Sequence, residues 1–113
     1  MESDKRKDRR VPSYAKAMLT DRHIPGYIRD LSSSGCQVSF IQPIDAVVGD
    51  IISVRIIAEH DPAIAPFVVR LRIRRVIDDP PWHSLGTEVE KIRDPLEAAS
   101  FDKLVSYYAG AAT

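Results

Sequence analysis

The chain is poor in cysteine and tryptophan, with one of each, and poor in glycine, with five among 113 residues. It also lacks net charge, because 16 Lys and Arg face 16 Asp and Glu. A lone Cys36 excludes an internal disulfide and any thiolate cluster for zinc, and it fits a reducing compartment. Long apolar runs are missing too. The longest resemble Ala46-Val47-Val48 and Phe67-Val68-Val69, whereas a membrane span needs about 20 residues and a secretion signal an apolar core of about 7–15. We therefore expect a cytoplasmic protein without membrane insertion. A hydrophobic content of 44% and a charged content of 28% exclude the weakly hydrophobic, highly charged regime of disordered chains. At this length one domain with one core is expected, and a large multidomain enzyme is excluded.

Chemistry-bearing patterns are scarce. His23, His60 and His83 stand far apart and form no His-x-x-x-His or Cys-x-x-Cys spacing, so no metal or cofactor is expected. Ser32-Ser33-Ser34 lacks the Gly-x-Ser-x-Gly elbow of a nucleophilic serine, and Cys36 falls on an inward strand position, where it reads as a small buried hydrophobe. Walker and dinucleotide fingerprints are missing. No catalytic residue is assigned, and the chain is not read as an enzyme.

What the sequence does contain is short alternating runs. Ile52, Val54 and Ile56 share one face; so do Val69, Leu71 and Ile73, alternating with Arg70, Arg72 and Arg74. Arg75 breaks that phase, as the extra residue of a β-bulge does. Cys36, Val38 and Phe40, and then Leu85, Thr87 and Val89, repeat the period, with weaker strands expected over 15–19 and 27–31. Pro25-Gly26, Pro43, Gly49-Asp50, Asp61-Pro62 and Asp79-Pro80-Pro81 read as the breakers between them. The expectation is a mainly β fold: a small six-stranded antiparallel barrel over residues 11–93, preceded by a flexible basic arm over 1–10. A C-terminal helix is expected over 94–110. Asp94 caps it, Pro95 opens it, Glu97 completes a capping-box pattern, and Phe101, Leu104, Val105 and Tyr108 give it an apolar face.

Charge is unevenly spread: residues 1–30 carry +3, residues 31–76 carry +1 and residues 77–113 carry −4. The basic cluster Lys5-Arg6-Lys7-Asp8-Arg9-Arg10 is able to focus a small anion although the whole chain is neutral. It contains Arg-x-x-x-Arg at Arg6 and Arg10. Twenty residues after Arg10 comes Asp30-Leu31-Ser32-Ser33-Ser34-Gly35, which is Asp-x-Ser-x-x-Gly. These two patterns in this order, with the strands, the Leu85-Gly86-Thr87-Glu88-Val89 run and the final helix, resemble a PilZ domain over nearly the whole chain.

That resemblance implies a receptor for cyclic di-GMP, a bacterial second messenger with two guanines and two phosphate charges. It implies Arg6, Arg10, Asp30, Ser32 and Gly35 as ligand-binding residues, with Arg9 and Trp82 as secondary contacts. An arginine fork pairs two-pronged with a phosphate or with the O6/N7 edge of guanine, and stacks on a purine. A carboxylate at Asp30 accepts from guanine N1–H and N2–H; Ser32, two residues on, is expected on the same strand face. The resemblance further implies an unidentified downstream protein partner in motility, attachment or exopolysaccharide output. Other readings stand beside these. Asp30, Ser32 and Gly35 also suit a plain hairpin turn, Trp82 suits barrel-edge packing, and the Arg70, Arg72, Arg74 stripe suits a solvated outer face. A barrel with an acidic end also makes a ligand-independent protein adaptor. A nucleic-acid-binding barrel is the weaker alternative, given zero net charge and few aromatics.

Overall fold

The computed structural model describes residues 11–13, 15–58 and 64–112. In chain order the strands are β1 (Val11–Pro12), β2 (Lys16–Leu19), β3 (Ile24–Leu31), β4 (Gly35–Phe40), β5 (Ile51–Ile57), β6 (Phe67–Asp79) and β7 (Trp82–Val89), followed by helix α1 (Pro95–Ala112). All pairings are antiparallel, in the order β1-β3-β2-β5-β6-β7-β4. A further β3–β4 pairing closes β2 to β7 into a six-stranded barrel, which removes the exposed sheet edges that invite aggregation. The two-residue β1 is a prolongation of β2 along the same flank of β3. Between them Ser13 N–H donates to Arg29 O at 3.0 Å and Ile28 N–H donates to Ala15 O at 2.9 Å, carrying the ladder across the gap.

The two-residue period sorts side chains as expected. Ile52, Val54, Ile56, Val69, Leu71, Ile73, Cys36, Val38, Phe40, Leu85 and Thr87 are all buried. Cys36 is inert packing. Thr87 gives its hydroxyl proton to the Cys36 carbonyl at 2.8 Å, so the Cys36 thiol is the donor in its 3.4 Å contact with Thr87 Oγ1. Asp94 Oδ1 accepts from Leu96 N–H at 2.9 Å at the start of α1, the capping geometry that the sequence pattern predicts. Phe101, Leu104 and Tyr108 then enter the barrel core, Phe101 meeting Phe67 edge to face at 6.4 Å.

Two features depart from the sequence reading. Pro25-Gly26 is no breaker: both lie inside β3, and the turn falls earlier, at Thr20–His23, where His23 adopts a φ of 56°. Gly26 serves a close approach. A Cβ there would overlap the Ser39 carbonyl oxygen and stand 3.0 Å from the Phe40 ring, so β3 and β4 approach closely only with glycine at this point. The second departure is an irregularity in β3 between Ile28 and Asp30, where simple alternation is expected. The phase break at Arg75, by contrast, is a register shift between Ile73 and Arg75, the bulge that the sequence pattern predicts, with Arg74 and not Arg75 as the residue left without a partner.

Gly26→Ala should therefore destabilise the barrel by about 1–3 kcal/mol. The check is a urea melt, with a lower midpoint and an unchanged slope expected.

Candidate functional site

Strand β3 explains why one face of the barrel is chemically unlike the rest. Ile28 and Leu31 are both buried at 0% exposure, yet they stand three positions apart instead of two. The register accommodates this with a bulge. Ile28 pairs with Val38, Asp30 pairs with Gln37, and Arg29 is the extra residue. Arg29 is exposed and Asp30 half-buried, so two consecutive side chains, one cationic and one anionic, face outward. Pro12 of β1 pairs with Asp30 on the opposite flank.

Beside this pair lies a groove of about 640 Å³ lined by Pro12, Ser13, Tyr27, Arg29, Gln37, Ile77, Asp79 and Trp82, a volume within the usual range for small-molecule sites. Its wall is aromatic. The Arg29 guanidinium carbon sits 5.2 Å from the centre of the Trp82 ring, a cation–π distance, and Tyr27 meets Trp82 edge-on at 5.9 Å. Trp82 follows the tight turn at Pro80 and Pro81, whose peptide is cis, and pairs with Asp79 across it.

Beneath the groove runs a hydrogen-bonded chain through two fully buried hydroxyls. Ser84 donates to Asp79 Oδ2 at 2.8 Å. A hydroxyl has one proton, so in the 2.6 Å contact between Ser39 and Ser84 the donor is Ser39. The Ser39 oxygen in turn accepts from Arg29 Nε–H at 3.2 Å. Every proton in the chain points from the Arg29 cation toward the Asp79 carboxylate. This order is fixed by donor count alone.

The residues singled out from the sequence fall as follows. Asp30 and Trp82 face the same outer surface, Trp82 in the groove and Asp30 beside Arg29 opposite Gln37. Ser32 lies past the end of β3, in the turn that leads to β4. It is 0% exposed in the turn after β3, where its N–H and its hydroxyl both donate to Gly35 O, at 2.8 and 3.4 Å, while Ser34 N–H donates to its Oγ at 3.4 Å. Gly35 opens β4, and a Cβ there would overlap the Thr87 carbonyl oxygen. Arg6, Arg9 and Arg10 lie outside the described residues. Arg72 and Arg74 of the outward stripe pair with Glu90, at 3.0 Å, and with Glu88 on β7.

Arg29, Tyr27 and Gln37 were missed by motif reading. Tyr27 and Arg29 do alternate with Ile28 in the sequence, which marks them as outward. Their convergence on Trp82, 53 positions after Arg29, is a product of β3, β4 and β7 being adjacent. Among the described residues no three His, Cys, Asp or Glu side chains converge as a metal site. Nor is any helix of the described residues long and apolar enough to cross a membrane.

Comparison with known proteins gives three results. No curated protein matches the chain in sequence. Among solved structures the fold resembles that of the Bacillus subtilis inhibitor of motility (MotI/DgrA), with a TM-score of 0.70 and 16% identity over 90% of this chain and 48% of that one, so this chain spans about half of that protein. The family model for the PilZ domain matches residues 4–109, nearly the full length, and the chain therefore belongs to the PilZ domain family.

Proposed function

We propose that this chain is a receptor for cyclic di-GMP, acting by binding and not by catalysis. The observation that carries this is where the chain enters the barrel. Val11 pairs with Leu31 and Pro12 with Asp30, so the arm carrying Arg6 and Arg10 is covalently attached beside the turn of the Asp-x-Ser-x-x-Gly motif. Arg10 is bonded to Val11, and the five-residue step from Arg6 to Val11 spans at most about 18 Å when extended. Both arginines are thus tethered within reach of the groove and of Asp30.

In this reading Arg6 and Arg10 take the two phosphates, with Arg9 as a further contact, because paired arginine forks bind phosphate oxygens with charge-assisted bonds. Asp30 accepts from guanine N1–H and N2–H, donors that adenine does not present together. Trp82 offers an aromatic face to the purine. Ser32 and Gly35 support the site by holding the turn, since the Ser32 hydroxyl is used within it. Ordering several arm residues costs about 1–2 kcal/mol each, which places affinity near micromolar. Closure of the arm then changes the surface presented to a downstream protein, and cytoplasmic control of motility, attachment or exopolysaccharide output is the corresponding role. That the structural relative is named an inhibitor of motility supports the first of these.

Calorimetric titration with cyclic di-GMP is expected to show binding near micromolar. Arg6→Ala, Arg10→Ala and Asp30→Ala should each weaken it by roughly ten- to a hundredfold, the range for losing a hydrogen bond to a charged group. A flat titration of the intact protein rejects the receptor. Saturating ligand should also slow tryptic cleavage between Lys5 and Arg10, as read by mass spectrometry of the digest; an unchanged rate rejects closure of the arm.

A further inference from the structure

The bulge in β3 and the relay beneath the groove have a joint consequence for base recognition. Guanine carries two donors, N1–H and N2–H, next to two acceptors, O6 and N7. Its rim therefore needs an acceptor and a two-pronged donor side by side, on one surface. A regular strand does not place neighbouring residues that way, because consecutive side chains point to opposite faces. The extra residue at Arg29 does, putting Arg29 and Asp30 on the outside together.

Arg29 is also held in advance. Its Nε–H is engaged by Ser39 at 3.2 Å, and its plane carbon lies 5.2 Å from the Trp82 ring centre. Neither Nη atom has a hydrogen-bond partner among the described residues. With Nε fixed, the two Nη atoms remain as the free part of the fork, beside the 640 Å³ groove. Ser39, Ser84 and Asp79 fix its position through the one-directional chain described above.

Resting on the cyclic di-GMP reading, we infer that Arg29 donates to the O6/N7 edge of the guanine whose N1/N2 edge meets Asp30, with Ser84 as its positioning residue. Adenine presents an N6 amino donor where guanine has O6, so it would place donor against donor at Arg29. Selectivity for guanine over adenine then comes from the twinned pair, and the affinity for the phosphates from the arm.

The test compares cyclic di-GMP with cyclic di-AMP by calorimetry, alongside emission of Trp82, the chain's one tryptophan. Arg29→Ala should weaken cyclic di-GMP binding about tenfold or more, the range for losing a good two-pronged base contact, and leave cyclic di-AMP binding no weaker, since the donor that opposes its N6 amino group is gone, so that the ratio between the ligands collapses. Arg29→Lys should not restore it, because an ammonium neither forks nor stacks in a plane. Ser84→Ala should lower the same ratio by a smaller factor, a change that loss of stability alone would not produce. Ligand should quench Trp82 in the wild type.

Wild-type protein that binds cyclic di-GMP, with both Arg29 variants keeping its affinity and ratio, overturns this inference and leaves the receptor standing. Wild-type protein that takes up no cyclic di-GMP overturns both. Should circular dichroism show the Arg29→Ala barrel unfolded, Arg29→Lys decides alone.

Discussion

Between Ile28 and Leu31 the chain must satisfy two demands that a regular strand does not meet together. Both side chains complete the barrel core at 0% exposure, yet their spacing of three contradicts the two-residue period. The conflict is resolved by spending one residue on the outside, and Arg29 is that residue. Everything distinctive about the outer face follows from this. Arg29 reaches Ser39 and Trp82 because it is turned out of the wall, and Asp30 faces outward, not toward the core, because the phase has moved. Ser32 lies in the turn for a separate reason, since β3 stops at Leu31. The same solution recurs in β6, where the shift after Ile73 lets Arg75 follow Arg74 without burying either guanidinium.

Two fully buried serines on that face are a strong constraint of their own. A hydroxyl taken from water without a partner costs about 1–3 kcal/mol by mutational measures, so Ser39 and Ser84 persist only if both are satisfied. They are satisfied by each other and by the charges at either end, Arg29 and Asp79. In the low dielectric of the barrel wall, hydrogen bonds in a chain polarise one another. The groove's arginine is thereby coupled to a carboxylate three strands away, across β4 and β7. A mobile surface arginine would lose side-chain entropy on meeting a ligand; here part of that loss has already occurred on folding.

Much of the fold could be read from residue order. The alternation of Val69, Leu71 and Ile73, the phase break at Arg75 and the apolar face of Phe101, Leu104 and Tyr108 all have local causes, and each appears in the structure where the pattern puts it. The reading failed where the cause is non-local. Pro25-Gly26 resembles a turn because both residues favour turns in isolation; here Gly26 is required by β4 passing over it. Arg29 carries no motif, and its role depends on Ser39, Ser84 and Trp82 arriving from β4 and β7. The Asp-x-Ser-x-x-Gly pattern was legible as a turn and as a family mark, but the division of labour within it was not, because Ser32 falls just past the end of β3 and its hydroxyl turns back on Gly35 where β3 and β4 pair.

Charge placement explains how a neutral chain is suited to an anionic ligand. Of the outward arginines of β6, Arg72 and Arg74 supply little attraction, since they are matched by Glu90 and Glu88. Arg29 is offset as well, with Asp30 next to it in the chain and Asp79 at the end of its relay. The folded wall therefore presents shape and hydrogen-bonding direction more than net potential. The densest basic cluster in the sequence is the segment Lys5 to Arg10, where five basic side chains outnumber the single Asp8, and this segment joins the barrel at the strand that pairs with Asp30. Long-range attraction falls with salt, whereas short directional hydrogen bonds depend on it far less. On the proposed reading, placing the two functions on separate parts of the chain lets attraction be strong without loosening the choice of base, because the arginine assigned to the base has its charge balanced within the fold.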